Sequence, residues 1–315
     1  MPFVTAFYRA LGTGMVISVD SPIDDKVRSA MESLIEDYEH VLSRFRNDSL
    51  IAAIGKAEHG GSFDFPDWCA PLFDLYDALF SATSGAIDPC VGEDLIRLGY
   101  DASLSFTVTQ DAPEHLGALR GRAVWGRDVT RHGTTLVTHE PVQLDFGACG
   151  KGYLVDLLGR MLQSSQFVID AGGDLLIHAE QPISVALEDP EDQSHAIGIA
   201  HIANGALCAS APSRRHWNVA VNERTQIAIH HLLNAIDGLP AQQTEASWAY
   251  IPANATLNLA RDYPAAVADG LATALFVSDA TQLQRTFDFA YATLNESRQI
   301  AASRNFPAEL FLRSA

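Results

Sequence analysis

The stretch Asp145-Phe146-Gly147-Ala148-Cys149-Gly150-Lys151-Gly152-Tyr153 constrains this chain more than any other part of it. Three glycines lead into an apolar-periodic run, Tyr153, Leu154, Leu157, Leu158 and Met161, whose spacing predicts a helix with one inward face. Glycine lets backbone amides approach a partner closely, and a helix start favours negative charge. The turn therefore suits an anion such as a phosphate, with Lys151 adding a point charge. A glycine-rich strand-to-helix turn without a ligand is the other reading. The spacing is neither that of a Walker A loop nor that of a Rossmann fingerprint.

The rest of the chain supplies strands and helices in mixed order. Met15, Ile17 and Val19 alternate with Val16 and Ser18, which predicts a strand over residues 14–20. Ser21-Pro22 reads as an N-cap and first-turn proline, opening a helix with Val27, Met31, Leu34, Ile35, Tyr38, Val41, Leu42 and Phe45 on one face. A second helix is expected over residues 68–83, with Gly85 at its C-cap. Phe167-Val168-Ile169-Asp170 is a short buried strand running into Ala171-Gly172-Gly173-Asp174, and residues 183–187 and 226–231 read as further strands. Residues 265–276 form the last strong helix, built mostly of small side chains. No repeat or clean linker interrupts the 315 residues, so a single α+β domain over residues 1–315 is expected.

Asp and Glu number 39 against 21 Lys and Arg, a formal charge of −18. Such a surface repels phosphate backbones and anionic lipid, which argues against nucleic-acid or membrane-surface binding. It leaves room for one small anion held by local amides or a metal. The longest apolar runs fall far below the roughly 18 residues of a membrane span. Cys69, Cys90, Cys149 and Cys208 show no zinc spacing and read as reduced, partly buried small residues. With no leader visible at Met1-Pro2-Phe3, a cytoplasmic location is expected.

Four further groups carry chemistry. Asp269 and Thr273 stand at i and i+4 among Ala268, Gly270, Ala272 and Ala274, so a carboxylate and a hydroxyl share one helix face. That pair suits a hard cation such as Mg2+; a tightly packed helix with Thr273 bonded to its own backbone is the alternative. His230-His231 follows Ile227 and Ile229. In a strand His231 shares their face, as a general base or as a core histidine. Asp88, Asp145, Asp170 and Asp174 flank glycine or proline turns, where Asp is common. Residues 210–215 bring hydroxyls, Arg214 and Arg215.

Taken in order, these fragments resemble the ApbE family of FAD:protein FMN transferases. Leu11-Gly12-Thr13 is similar to the family's early Met-Gly-Thr strand. Ser43-Arg44-Phe45-Arg46-Asn47-Asp48-Ser49 resembles its serine-bounded segment, and Gly85-Ala86-Ile87-Asp88-Pro89-Cys90-Val91-Gly92 its Gly-Ala-Phe-Asp-Pro motif. Residues 145–153, 170–174, 188–190 and 268–274 match four more motifs. The resemblance implies an ApbE-like α+β fold with two interleaved halves around a central FAD cleft. It implies FAD contacts at Leu11, Phe45, Ala86, Ile87, Asp88, Gly147, Lys151 and Tyr153. It further implies Mg2+ held by Asp269 and Thr273 with main-chain oxygens of Gly150 and Ala266, and His231 activating the acceptor hydroxyl. Asp269 is expected at a surface cleft.

The activity so implied is Mg2+-dependent transfer of FMN from FAD to a threonine or serine of an acceptor flavoprotein, releasing AMP. FAD pyrophosphatase activity, or flavin binding without catalysis, are the rivals. The chain departs from the family pattern at Asn234 and Ala235, where the family has Asp-Pro, at Ala211, where it has Gly, and in a long interval between Gly238 and Asp269.

Overall fold

The computed structural model describes residues 1–222 and 225–311, apart from the side chains of Arg9 and of residues 220–222 and 225–227, Ile227 among them. Two compact units share the chain. One comprises Met1–Glu36, Ala148–Ala211 and Gln243–Ala315, the other Asp37–Gly147 and Pro212–Gln242. Each draws on separated stretches of sequence, so the two interleave along the chain.

The first unit is built on an antiparallel sheet, nine-stranded among the described residues. Met15, Ile17 and Val19 bury one face of the strand Thr13–Val19, as their alternation predicts. That strand pairs with Phe3–Ala10 through Leu11-Gly12, whose φ values of 53° and 71° make the two-residue turn that right-twisted strands favour. Leu11, having a Cβ, bears strain of about 1 kcal/mol or more there. The order continues through Phe167–Asp170, Asp174–Glu188, Ala196–Ser210, Thr244–Pro252, Ala290–Asn295 and Ile300–Ala302, with Ala308–Leu310 also pairing Ala196–Ser210. Leu187, Ile202, Leu207, Trp248 and Leu294 fill the core on one side.

The helices Gly150–Gly159 and Pro264–Ala274 pack against each other and the sheet. Their approach depends on Gly152, where a Cβ would stand 2.2 Å from the Ala265 carbonyl oxygen. The alanines at 265, 266, 268, 272 and 274 are fully buried for the same reason.

In the second unit the helix Ala70–Ala82 buries Leu72, Phe73, Leu75, Tyr76 and Leu79, and Phe73 packs on Trp125 and Phe146. The C-cap of that helix is Thr83 rather than Gly85: Ser84 takes the left-handed position at φ 54°, and the Gly85 amide, one residue further on, donates to the Phe80 carbonyl at 2.8 Å. A three-stranded sheet is formed by Gly61–Asp64, Thr135–Thr138 and Val129–His132, and a ribbon by His216–Asn222 and Thr225–His230.

Three further local expectations change. The long helix is Asp25–Leu42, and the carboxylate of Asp24 rather than Ser21 caps it, accepting from the Val27 amide at 2.7 Å. Phe45 lies beyond that helix and is 41% exposed. The strand ends at His230, so the alternation argument does not reach His231. No helix among the described residues is long and apolar enough to cross a membrane.

Candidate functional site

The glycine turn and the last long helix meet around one ammonium. Lys151 Nζ lies 2.7 Å from Oδ2 of Asp174 and 3.3 Å from Oδ1 of Asp269. The Gly152 amide donates to Asp269 Oδ2 at 3.0 Å. Both carboxylates are 1% exposed, so Asp269 is a core group and not a surface-cleft residue. Burial and the facing Asp174 push Asp269 up to about 7, against the pull of Lys151 and the Gly152 amide. Burial disfavours the Lys151 charge, yet Asp174 and Asp269 together hold it above its ordinary value.

Asp174 enters this cluster although the sequence placed it only at a turn and at the end of the motif matched by residues 170–174, with no role assigned. The turn before it explains the placement: Asp170 Oδ1 accepts from Gly172 and Gly173, both at positive φ, and the chain reverses into the strand Asp174–Glu188. No hydrogen-bond donor reaches Asp174 Oδ1 among the described residues.

Thr273 Oγ1 lies 3.3 Å from the carbonyl oxygen of Ala148 and 3.5 Å from Ser210 Oγ. The resemblance pointed to the carbonyls of Gly150 and Ala266. Those lie in the first turns of the two helices, and the carbonyl that Thr273 itself reaches is that of Ala148. The donor set is thus two carboxylates, a hydroxyl and a carbonyl. All are hard oxygens, and one buried carboxylate oxygen lacks a donor. That chemistry fits Mg2+.

Sequence reading also missed Asp156, which is 3% exposed. Its two oxygens accept from the amides of Ala265, at 3.1 Å, and Ala266, at 2.8 Å, fixing the start of the helix that carries Asp269 and Thr273. Burial pushes Asp156 up to about 8 against those two amides. Its signal was legible only as an acidic residue among Leu154, Val155, Leu157 and Leu158.

In the second unit Phe45 stands at the edge of an aromatic group. Its ring centroid is 5.3 Å from that of Tyr100, which stacks on Trp217 at 5.8 Å. The Arg44 guanidinium lies 4.1 Å over Phe45 and 4.6 Å over Tyr100, and pairs with Asp145. His231 meets Tyr100 edge-on at 6.5 Å. Its Nδ1 donates to the Arg215 carbonyl at 3.1 Å, so the neutral ring carries its proton on Nδ1 and its basic lone pair on Nε2. His230 differs. Nε2 donates to the Ala241 carbonyl at 2.9 Å, Nδ1 accepts from the Leu232 amide at 3.3 Å, and burial lowers its pKa.

The remaining expected FAD positions are mostly inward. Ala86, Ile87 and Asp88 are buried, and Asp88 accepts from the Cys90 amide at 2.8 Å. The Gly147 amide bonds Asp145 Oδ1 at 2.6 Å. Tyr153 is 1% exposed, and its ring lies 5.2 Å from that of Tyr263.

The ApbE family model matches residues 11–293. A FAD:protein FMN transferase of Treponema pallidum (strain Nichols) is 27% identical over 286 residues, 80% of this chain and 72% of that protein. One of Klebsiella pneumoniae (strain 342) is 22% identical over 236 residues; the match takes in 71% of this chain and 66% of the relative. The solved ApbE protein of Thermotoga maritima superposes with a TM-score of 0.78 at 20% identity, covering 98% of this chain and 99% of its own. The flavin transferase ApbE of Vibrio cholerae gives 0.76 at 18% identity, covering 96% and 97%. These likenesses extend the α+β architecture to the ApbE fold, and the extent of the family match makes this chain a member of the ApbE family.

Proposed function

We propose that the chain transfers FMN from FAD to a threonine or serine hydroxyl of an acceptor flavoprotein, with Mg2+ and with release of AMP. The observation that carries this reading is the cluster of Lys151, Asp174 and Asp269 beside Thr273 and the Ala148 carbonyl, in a chain whose curated relatives are named FAD:protein FMN transferases. Asp269, Thr273, the Ala148 carbonyl and Asp174 would hold Mg2+, which when bound neutralises charge on a diphosphate. Lys151 offers the same anion a fixed positive charge. His231 takes the proton of the acceptor hydroxyl at Nε2, since Nδ1 is already committed to Arg215. The hydroxyl oxygen forms a bond to the FMN phosphorus, the bond from that phosphorus to the AMP oxygen breaks, and AMP leaves with the electron pair.

Incubation with FAD, Mg2+ and a threonine-bearing acceptor peptide, read by mass spectrometry, tests this. The expected product is the peptide carrying FMN, with AMP in equal amount. FMN and AMP without modified peptide point to the pyrophosphatase instead, and FAD recovered intact points to flavin binding alone.

A further inference from the structure

A buried arginine ties residues 86–88 to the turn that follows His231. Arg122 is 2% exposed. Its Nε lies 2.8 Å from Asp94 Oδ2 and its Nη1 3.5 Å from Asp88 Oδ2, while Nη2 donates to the Ala235 carbonyl at 2.7 Å. The Ala235 amide in turn donates to the Ala86 carbonyl at 3.1 Å. Asp94 Oδ1 accepts from the Gly117 amide at 2.8 Å, and the Ala118 amide reaches the Ala235 carbonyl at 3.1 Å. Nη1 also donates to the adjacent Ala123 carbonyl at 2.5 Å, so Nε and Nη2 reach other stretches of chain directly while Nη1 is shared between Ala123 and Asp88.

Burying one cation with two carboxylates is a poor way to gain stability, because desolvation offsets most of the attraction, and apolar side chains of similar volume often do as well. What the planar fork supplies, and an apolar side chain cannot, is geometry: several acceptors at fixed relative positions. Here the acceptors belong to Asp88, Ala123 and Ala235, and the Asp94 carboxylate adds an ion pair at Nε. The departure at 235 has the same sense. Ala235 stands where the family pattern has proline, and a proline has no N–H to give Ala86. In this chain hydrogen bonds register the two segments where a ring would stiffen the turn.

We propose that Arg122 is a positioning residue for the transfer reaction, holding the turn after His231 in register with residues 86–88. The proposal rests on the role given above to His231, with residues 86–88 as the fixed anchor, held in place by Thr83 Oγ1 at the Ile87 amide and by the Cys90 amide at Asp88. Arg122→Lys keeps the charge but replaces the fork with one point donor, so it should lower single-turnover FMN transfer about 10–100-fold at saturating FAD and acceptor. The FAD dissociation constant should change less than about threefold, because the Lys151 cluster is untouched. Hydrogen exchange at the Ala235 amide should rise in the same variant. A folded Arg122→Lys enzyme with wild-type transfer rate would overturn the proposal, as would a rate loss matched by an equal loss of FAD affinity. Should Arg122→Lys fail to fold, Asp94→Asn removes the charge that holds the guanidinium Nε while keeping an acceptor for the Gly117 amide, and it should slow transfer in the same way; wild-type turnover in it would overturn the proposal. A wild-type protein that binds FAD but modifies no acceptor defeats the transferase reading by itself, and exchange at Ala235 then still reports whether Arg122 holds the turn.

Discussion

Lys151 and Asp174 form the shortest ammonium–carboxylate contact of the candidate site, 2.7 Å, although they stand 23 positions apart in sequence, one in the first turn of a helix and the other at the start of a strand. The contact places a positive charge between two buried carboxylates that would otherwise repel each other.

Lys151→Met should therefore destabilise the protein. Leaving Asp174 and Asp269 without their ammonium removes a buried pair, but the lysine side chain is 34% exposed, so water screens part of the loss, and about 1–3 kcal/mol is expected. Mg2+ should restore more stability to this variant than to the wild type, since a cation can take over the neutralisation. Urea denaturation with and without Mg2+ measures both effects, and identical midpoints for the two proteins in Mg2+-free buffer would contradict the prediction.

The two adjacent histidines should separate cleanly. His231→Ala is expected to cut single-turnover FMN transfer by about 10²–10⁴-fold while FAD affinity stays nearly constant. His230→Ala should slow transfer far less and should instead lower the melting temperature, because both ring nitrogens of His230 serve backbone groups. Equal, small losses of rate in both would assign His231 to the core.

Asp156→Asn should weaken the seat of the helix Pro264–Ala274. One amide oxygen replaces two carboxylate oxygens, so one of the Ala265 and Ala266 amides loses its acceptor, at a cost of about 1–2 kcal/mol. Because that helix carries Asp269 and Thr273, the Mg2+ concentration for half-maximal activity should rise several-fold. A Mg2+ titration superimposable on that of the wild type would count against it.

Acidification should act through His230. Burial lowers its pKa from 6.5, so below that value the unfolded chain takes up a proton that the folded ring does not. Its contribution is fully present above about pH 6.5 and is lost as pH falls from there toward the lower folded value. The stability gap between wild type and His230→Gln should accordingly narrow between pH 7.5 and pH 5.5 in urea titrations. A gap that widened would reverse the assignment.

Local physics made the scaffold of the first unit legible in the residues alone. Alternation at Met15, Ile17 and Val19 produced the expected strand. The small residues after Pro264 produced the helix that packs closest. The collinear motifs pointed to the ApbE family and its α+β fold, which the family match bears out. Burial of the four cysteines also follows the reading of them as small apolar groups.

What sequence could not decide is which polar groups share a space. Gly152 looked like a phosphate-approach glycine. Its amide is committed to Asp269, and its missing Cβ admits the Ala265 carbonyl, a contact across 113 positions. Asp174 looked like a turn residue, and neither Asp156 nor Arg122 carried a signal of its own. Spacing along a chain predicts neighbours only within a helix or strand. The partners of a buried charge are set by which elements the sheet and helices bring together, so those three residues acquired their roles only from the tertiary structure.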